Sequence, residues 1–140
     1  MTGNFGGMIS DLLRVPFADS TLFAVPDDVE PSVLAPARDN IPDAWRCVGP
    51  MLKKFPHSPA LIVGGGAQSI GLYAAGIAVA MGTAHVDYLD TSNLRLDFAQ
   101  EPGANPVKIS KGASWFRNGQ PLGPEKPLIT VDASSYKVAA

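Results

Sequence analysis

Three consecutive glycines, Gly64-Gly65-Gly66, follow the apolar run Ala60-Leu61-Ile62-Val63, and a carboxylate, Asp90, closes the next apolar run, Val86-Asp87-Tyr88-Leu89. Residues of these types at this spacing can bind a phosphate joined to a sugar. Glycine admits positive φ and lets a ligand approach the main chain with no Cβ in the way. The amides of a helical turn that follows, here around Ala67 to Ile70 and including Gln68 and Ser69, supply donors for an anion. Asp90 stands 24 residues after Gly66 and 19 after Gly71, the separation at which a strand-end carboxylate accepts hydrogen bonds from adenosine ribose hydroxyls. The strict G-x-G-x-x-G template fails at one position in either register, Gly64/Gly66/Ser69 or Gly66/Gln68/Gly71. The second register gives the expected distance to Asp90 and is preferred, with Gly66 as the tight turn and Gly71 allowing close helix–strand packing. Gln68 must then be accommodated where the backbone nears the pyrophosphate. A glycine-rich turn that binds nothing is the alternative. The flanking strand, helix, second strand and Asp90 together favour a dinucleotide. Asp90 repels a 2′-phosphate and Thr91 offers no cation beside it, so the expected cofactor is NAD rather than NADP.

The elements that must position these residues follow from the pattern around them. Ala60–Val63, bounded by Pro59 and Gly64, suits a strand buried on both faces of a parallel sheet. No charge occurs between Ala60 and Ala84, so the helix over 69–81 is expected to be enclosed on all sides, with Gly82 ending it. Eight prolines lie from Pro16 to Pro59, none from Ala60 to Glu101 and five from Pro102 to Pro127, so the middle is regular and the flanks are rich in turns. Before the glycines, 8–15 and 21–25 are strand candidates of a β-rich unit, 30–38 a short helix and 39–42 a turn. Asp43 is then the N-cap of a helix to about Phe55, kinked at Pro50, with Cys47 as a small core residue. After Asp90, a helix over 94–100 capped by Thr91 or Ser92, a third strand over 106–109, a loop over 110–127 and a fourth strand over 128–131 complete the chain. The fold class is therefore α/β, a Rossmann-like parallel sheet in the order 3-2-1-4 with helices, preceded by a short β-rich N-terminal segment. The fourth strand ends the sheet with an unpaired apolar edge, which predicts self-association or a partner chain.

Composition narrows the class further. The 140 residues carry 11 Lys+Arg against 13 Asp+Glu, a net charge of −2 with the cations scattered, which argues against nucleic-acid binding. One cysteine excludes an internal disulfide and points to a reducing, cytoplasmic setting. The first ten residues show no secretory signal pattern, and 70–84 is shorter than the ~20 residues that span a bilayer. His57, among prolines, and His85, opening a strand, read as surface or structural residues, and Ser134 and Ser135 have no nearby histidine for a triad.

Four stretches carry a family resemblance: VPFADSTLFAVPDDV, DNIPDAWRCVGP, LIVGGGAQSIGLYAAGIAVAMGTAHVDYLDTS and LITVDAS. In that order they resemble a zinc-type alcohol dehydrogenase of the medium-chain dehydrogenase/reductase family, over about Asn4 to Ser135. The resemblance implies that residues 1–35 correspond to the end of a catalytic domain and 36–140 to the first half of an NAD-binding Rossmann domain. It implies cofactor contacts at Gly64, Gly65, Gly66, Gln68, Ser69, Ile70, Gly71, Asp90 and Thr91, and at Ala133 and Ser134 after the last strand. Asp39 resembles an acidic residue that some bacterial members supply as a further zinc ligand. The family's cysteine and histidine ligands have no counterpart here, and one carboxylate does not hold zinc. The implied function is an NAD-dependent oxidoreductase acting on a small alcohol or aldehyde, with zinc belonging to a complete family enzyme. The alternative is a non-catalytic nucleotide-binding fragment of one.

Overall fold

A computed structural model describes residues 9–110, 123 and 125–135. The chain divides into two compact units, Met1–Leu34 and Ala35–Ala140. In the first, residues 9–34 contain the short helix α1 (Ala18–Thr21) and the start of a 3-10 helix (Pro31–Arg38), and none of them is buried. The strands expected over 8–15 and 21–25, and with them the β-rich N-terminal segment, are not found among the described residues. A strand is held by hydrogen bonds to a neighbour, and no described segment of this chain pairs with these residues.

In the second unit, four parallel strands, β1 (Ala60–Val63), β2 (Val86–Asp90), β3 (Asn105–Lys108) and β4 (Ile129–Asp132), form one sheet in the order β3-β2-β1-β4. Helices α2 (Asn40–Lys54), α3 (Gln68–Ala80) and α4 (Asn93–Gln100) accompany them. The expected strand order and helix–strand alternation are present, with boundaries shifted by a residue or so. Period-two alternation sends Ala60, Ile62, Val86, Tyr88, Ile129 and Val131 into the main core, where they meet Ala44, Val48 and Leu52 of α2 and Ala74, Ala75 and Ala78 of α3. Leu61, Leu89 and Val107 form a smaller cluster apart from it. There Asp87, buried, accepts from Asn105 Nδ2 at 2.7 Å and from the Gly123 N–H at 2.8 Å, with His85 Nε2 at 2.8 Å.

Several local expectations are corrected. Helix α2 starts at Asn40 rather than after Asp43, because Pro42 in a first turn forfeits only an N–H that has no intrahelical acceptor there. Asp39 takes the N-cap position, and Asp43 instead pairs with Arg46 one turn on. The helix continues through Pro50 to Lys54. Cys47 is exposed, since the buried stripe of α2 is Ala44, Val48, Gly49 and Leu52 and position 47 points away from it. Helix α3 is not enclosed on all sides: Gly71, Ala74, Ala75 and Ala78 are buried, while Leu72, Tyr73 and Ile77 line a shallow apolar hollow with Ile41, Phe98 and Pro102. Gly82 ends it at φ 76°, as expected. The expected loop over 110–127 lies largely outside the described residues.

Candidate functional site

The crossover direction reverses at β1: β2 and β3 lie to one side of it and β4 to the other. In an open parallel sheet, this switch point at the carboxyl ends of the strands forms a crevice in which ligands bind. The glycine turn leaves β1 there. Its neighbours explain why three glycines are needed. A Cβ on Gly64 would overlap the Tyr88 hydroxyl and Asp90 Oδ2. One on Gly65, at φ 151°, would lie 2.9 Å from the Ser134 backbone, and one on Gly66 would lie 2.7 Å from Ser135 Cβ. Gly71 packs its backbone on the Ala133 methyl, where a Cβ would sit at 3.2 Å. The turn is thus wedged between the ends of β2 and β4.

Hydrogen bonds lock that wedge. The Gly66 N–H donates to the Ser134 carbonyl at 2.7 Å, the Ala67 N–H to the Ala133 carbonyl at 3.0 Å, and the Ala133 N–H to the Val63 carbonyl at 2.8 Å. The Ala67 amide, expected among the anion donors, is therefore spent on β4. The Gly71 N–H bonds back to the Ala67 carbonyl at 3.2 Å, so the amides of Gln68, Ser69 and Ile70 precede it in the first turn of α3, the region that suits an anion. Ser134 is itself fixed by its N–H on Asp132 Oδ1 at 2.9 Å.

At the end of β2, Asp90 is fully buried and accepts four hydrogen bonds. Oδ1 takes Arg95 Nη2 at 2.7 Å and the Ser92 N–H at 2.8 Å. Oδ2 takes Arg95 Nε at 2.7 Å and the Tyr88 hydroxyl at 3.1 Å. Burial pushes the Asp90 carboxyl up, but the Arg95 guanidinium, the Ser92 amide and the Tyr88 hydroxyl together outweigh it and hold it below the ordinary carboxylate value. Tyr88 is shifted far upward, first by burial and then by the Asp90 charge beside it, so it stays a neutral donor. Lys108, at the end of β3, donates to the Thr91 carbonyl and to Asn93 Oδ1 at 2.7 Å. The expectation that no cation offsets Asp90 is corrected, since Arg95 forks onto it directly. Sequence reasoning missed Arg95 and Tyr88. Their signal was an arginine five residues after the acid, in the first turn of the next helix, and a tyrosine two residues before it on the same face of the strand.

The structure brings Gly64, Gly65, Gly66, Gln68, Ser69, Ile70 and Gly71 together with Ala133 and Ser134 in one place, and sets Asp90 and Thr91 beside them. Asp39 lies apart, exposed at the start of α2. Among the described residues no three His, Cys, Asp or Glu side chains come together as metal ligands, so the donor set described does not fit a catalytic zinc.

No family model matches the chain and no curated protein matches it. Solved structures do. The alcohol dehydrogenase of Thermus sp. ATN1 is 27% identical over 69% of this chain and 27% of its own, with a TM-score of 0.58. Zinc-dependent alcohol dehydrogenase 2 from Streptococcus pneumonia is 29% identical over 66% of this chain and 25% of its own, with a TM-score of 0.54. This chain is similar to zinc-dependent alcohol dehydrogenases. Acetophenone reductase from Geotrichum candidum, solved in complex with NAD, is 31% identical over 63% of this chain and 25% of its own, with a TM-score of 0.50. The chain spans about a quarter of the length of each of these dehydrogenase-like structures. The resemblance is thus one of oxidoreductase fold and sequence over that quarter. No helix among the described residues is long and apolar enough to cross a membrane.

Proposed function

We propose that this chain is the NAD(H)-binding part of an alcohol-dehydrogenase-like oxidoreductase. The observation that carries the reading is the convergence, at the switch point between β1 and β4, of a glycine turn, the first-turn amides of α3 and a strand-end carboxylate. The amides of Gln68, Ser69 and Ile70 take the pyrophosphate, Gly64 to Gly66 let it approach the main chain, and Asp90 with Thr91 meets the adenosine ribose. Ala133 and Ser134 wall the crevice towards the nicotinamide. In a longer protein these residues hold and orient the dinucleotide, and the cofactor supplies hydride chemistry towards a small alcohol or aldehyde. Residues 1–35 are then the end of a catalytic-domain-like segment. The donor set described, with no three metal-ligating side chains together, favours a second reading in which the chain binds nucleotide without catalysis. Calorimetric titration with NADH and with NADPH tests the first statement. Micromolar-range binding of NADH is expected, and a folded chain that binds neither would overturn it.

A further inference from the structure

The Asp90 carboxylate is saturated. A carboxylate offers about four acceptor positions, and all four are filled: two by Arg95, one by the Ser92 amide and one by the Tyr88 hydroxyl. The partners differ in their freedom. Tyr88 is fully buried and the Ser92 amide is backbone, so neither can swing away as a side chain at the surface can. The Arg95 side chain retains 19% of its exposure while the Asp90 side chain retains none. The guanidinium is therefore the more exposed member of the pair. It also stands in the first turn of α4, where the helix dipole disfavours a cation.

From this arrangement we propose that Arg95 is a displaceable plug of the ribose subsite, whose guanidinium fork must leave Asp90 before a ribose diol can take its place. The inference rests on the dinucleotide reading above. The exchange is chemically matched: the fork donates one N–H to each carboxylate oxygen, and a vicinal diol can donate one O–H to each. Tyr88 and Ser92 keep the carboxylate fixed while its other partner changes. No bond is made or broken beyond hydrogen bonds. A binding-competent state populated at about 0.1–10% lowers apparent affinity by about tenfold to a thousandfold, so the plug sets how tightly this chain holds a dinucleotide.

Two measurements test it. The first uses the parent chain, labelled with ¹³C and ¹⁵N, and follows the Arg95 Nε–H resonance, assigned through bonds from the Arg95 backbone. Saturating NADH is expected to move it to the position and solvent-exchange rate of a free guanidinium. An Nε–H that stays protected at saturation would overturn the plug, and this readout stands even if substitution at Arg95 unfolds the chain. The second compares NADH affinity of the parent and Arg95→Met, both checked for folding by circular dichroism. Arg95→Met is expected to bind at least about tenfold tighter. Equal or weaker binding makes Arg95 a bystander or a direct ligand contact and overturns the plug alone. Failure of both folded proteins to bind NADH overturns the dinucleotide reading and the plug with it.

Discussion

Asp90 shows how a single residue can serve a site and the fold at once. Its pKa is depressed in the folded chain, so its contribution to stability is fully present above the ordinary carboxylate value and is lost as pH falls through the folded value. Asp90→Asn is therefore expected to cost about 1–3 kcal/mol at pH 7, by urea denaturation, with the gap to the parent shrinking below about pH 4. Gly64 tests the same contact from the other side. Its Cβ would meet the Tyr88 hydroxyl and Asp90 Oδ2, both in the fully buried floor of the site. Gly64→Ala should destabilise by about 1–3 kcal/mol, and adding Tyr88→Phe should restore part of that loss by removing the nearest of the three obstructing atoms. Strict additivity of the two substitutions in a double-mutant cycle would show that the contact is not made.

Helix α2 and strand β4 mark how far local pattern reaches at the scale of elements. In α2 the buried residues Ala44, Val48 and Leu52 recur at helical spacing, while Trp45, Met51 and Cys47 are exposed. Residue type suggested a core cysteine where the rotational position of the helix decides otherwise. In β4 the alternation is plain: Ile129 and Val131 are buried, Thr130 and Asp132 exposed. The Ile129 and Ala133 amides bond the carbonyls of Pro59, just before β1, and of Val63 at its end, so those of Thr130 and Asp132 turn to the outer edge, which no described strand flanks. Such an edge templates pairing with another chain. Concentration-dependent association is expected by light scattering, and Thr130→Pro, which deletes one outward donor without touching the β1 ladder, should suppress it. A parent that stays monomeric at high concentration would contradict this.

At the scale of the whole molecule, the two units differ in what holds them. The second buries Tyr88, Ile62, Leu89 and Val48 completely, whereas none of residues 9–34 is buried, and Ile9, Leu12, Phe17 and Phe23 are among the exposed apolar side chains. Burial of apolar surface is the main favourable term in folding, so the first unit has little to resist local opening. Limited proteolysis is expected to cut within 9–34 first and leave a fragment from about residue 35 whose sheet amides remain protected from exchange. Cleavage first within β1 or β2 would refute that division.

The sequence by itself determined the alternation of strands and helices and the place of the glycine turn. Those rest on short-range chemistry: apolar runs of strand length, glycines where no Cβ fits, and a carboxylate at a fixed distance along the chain. Tertiary structure alone decided what surrounds Asp90. Tyr88, Ser92 and Arg95 reach it only because β2 ends beside the first turn of α4, and the Ala67 amide is lost to Ala133 only because β4 lies against β1. It also decided that 8–15 and 21–25, strand-like in composition, form no described strand, because a strand depends on hydrogen bonds to a neighbouring segment that its own residues do not specify.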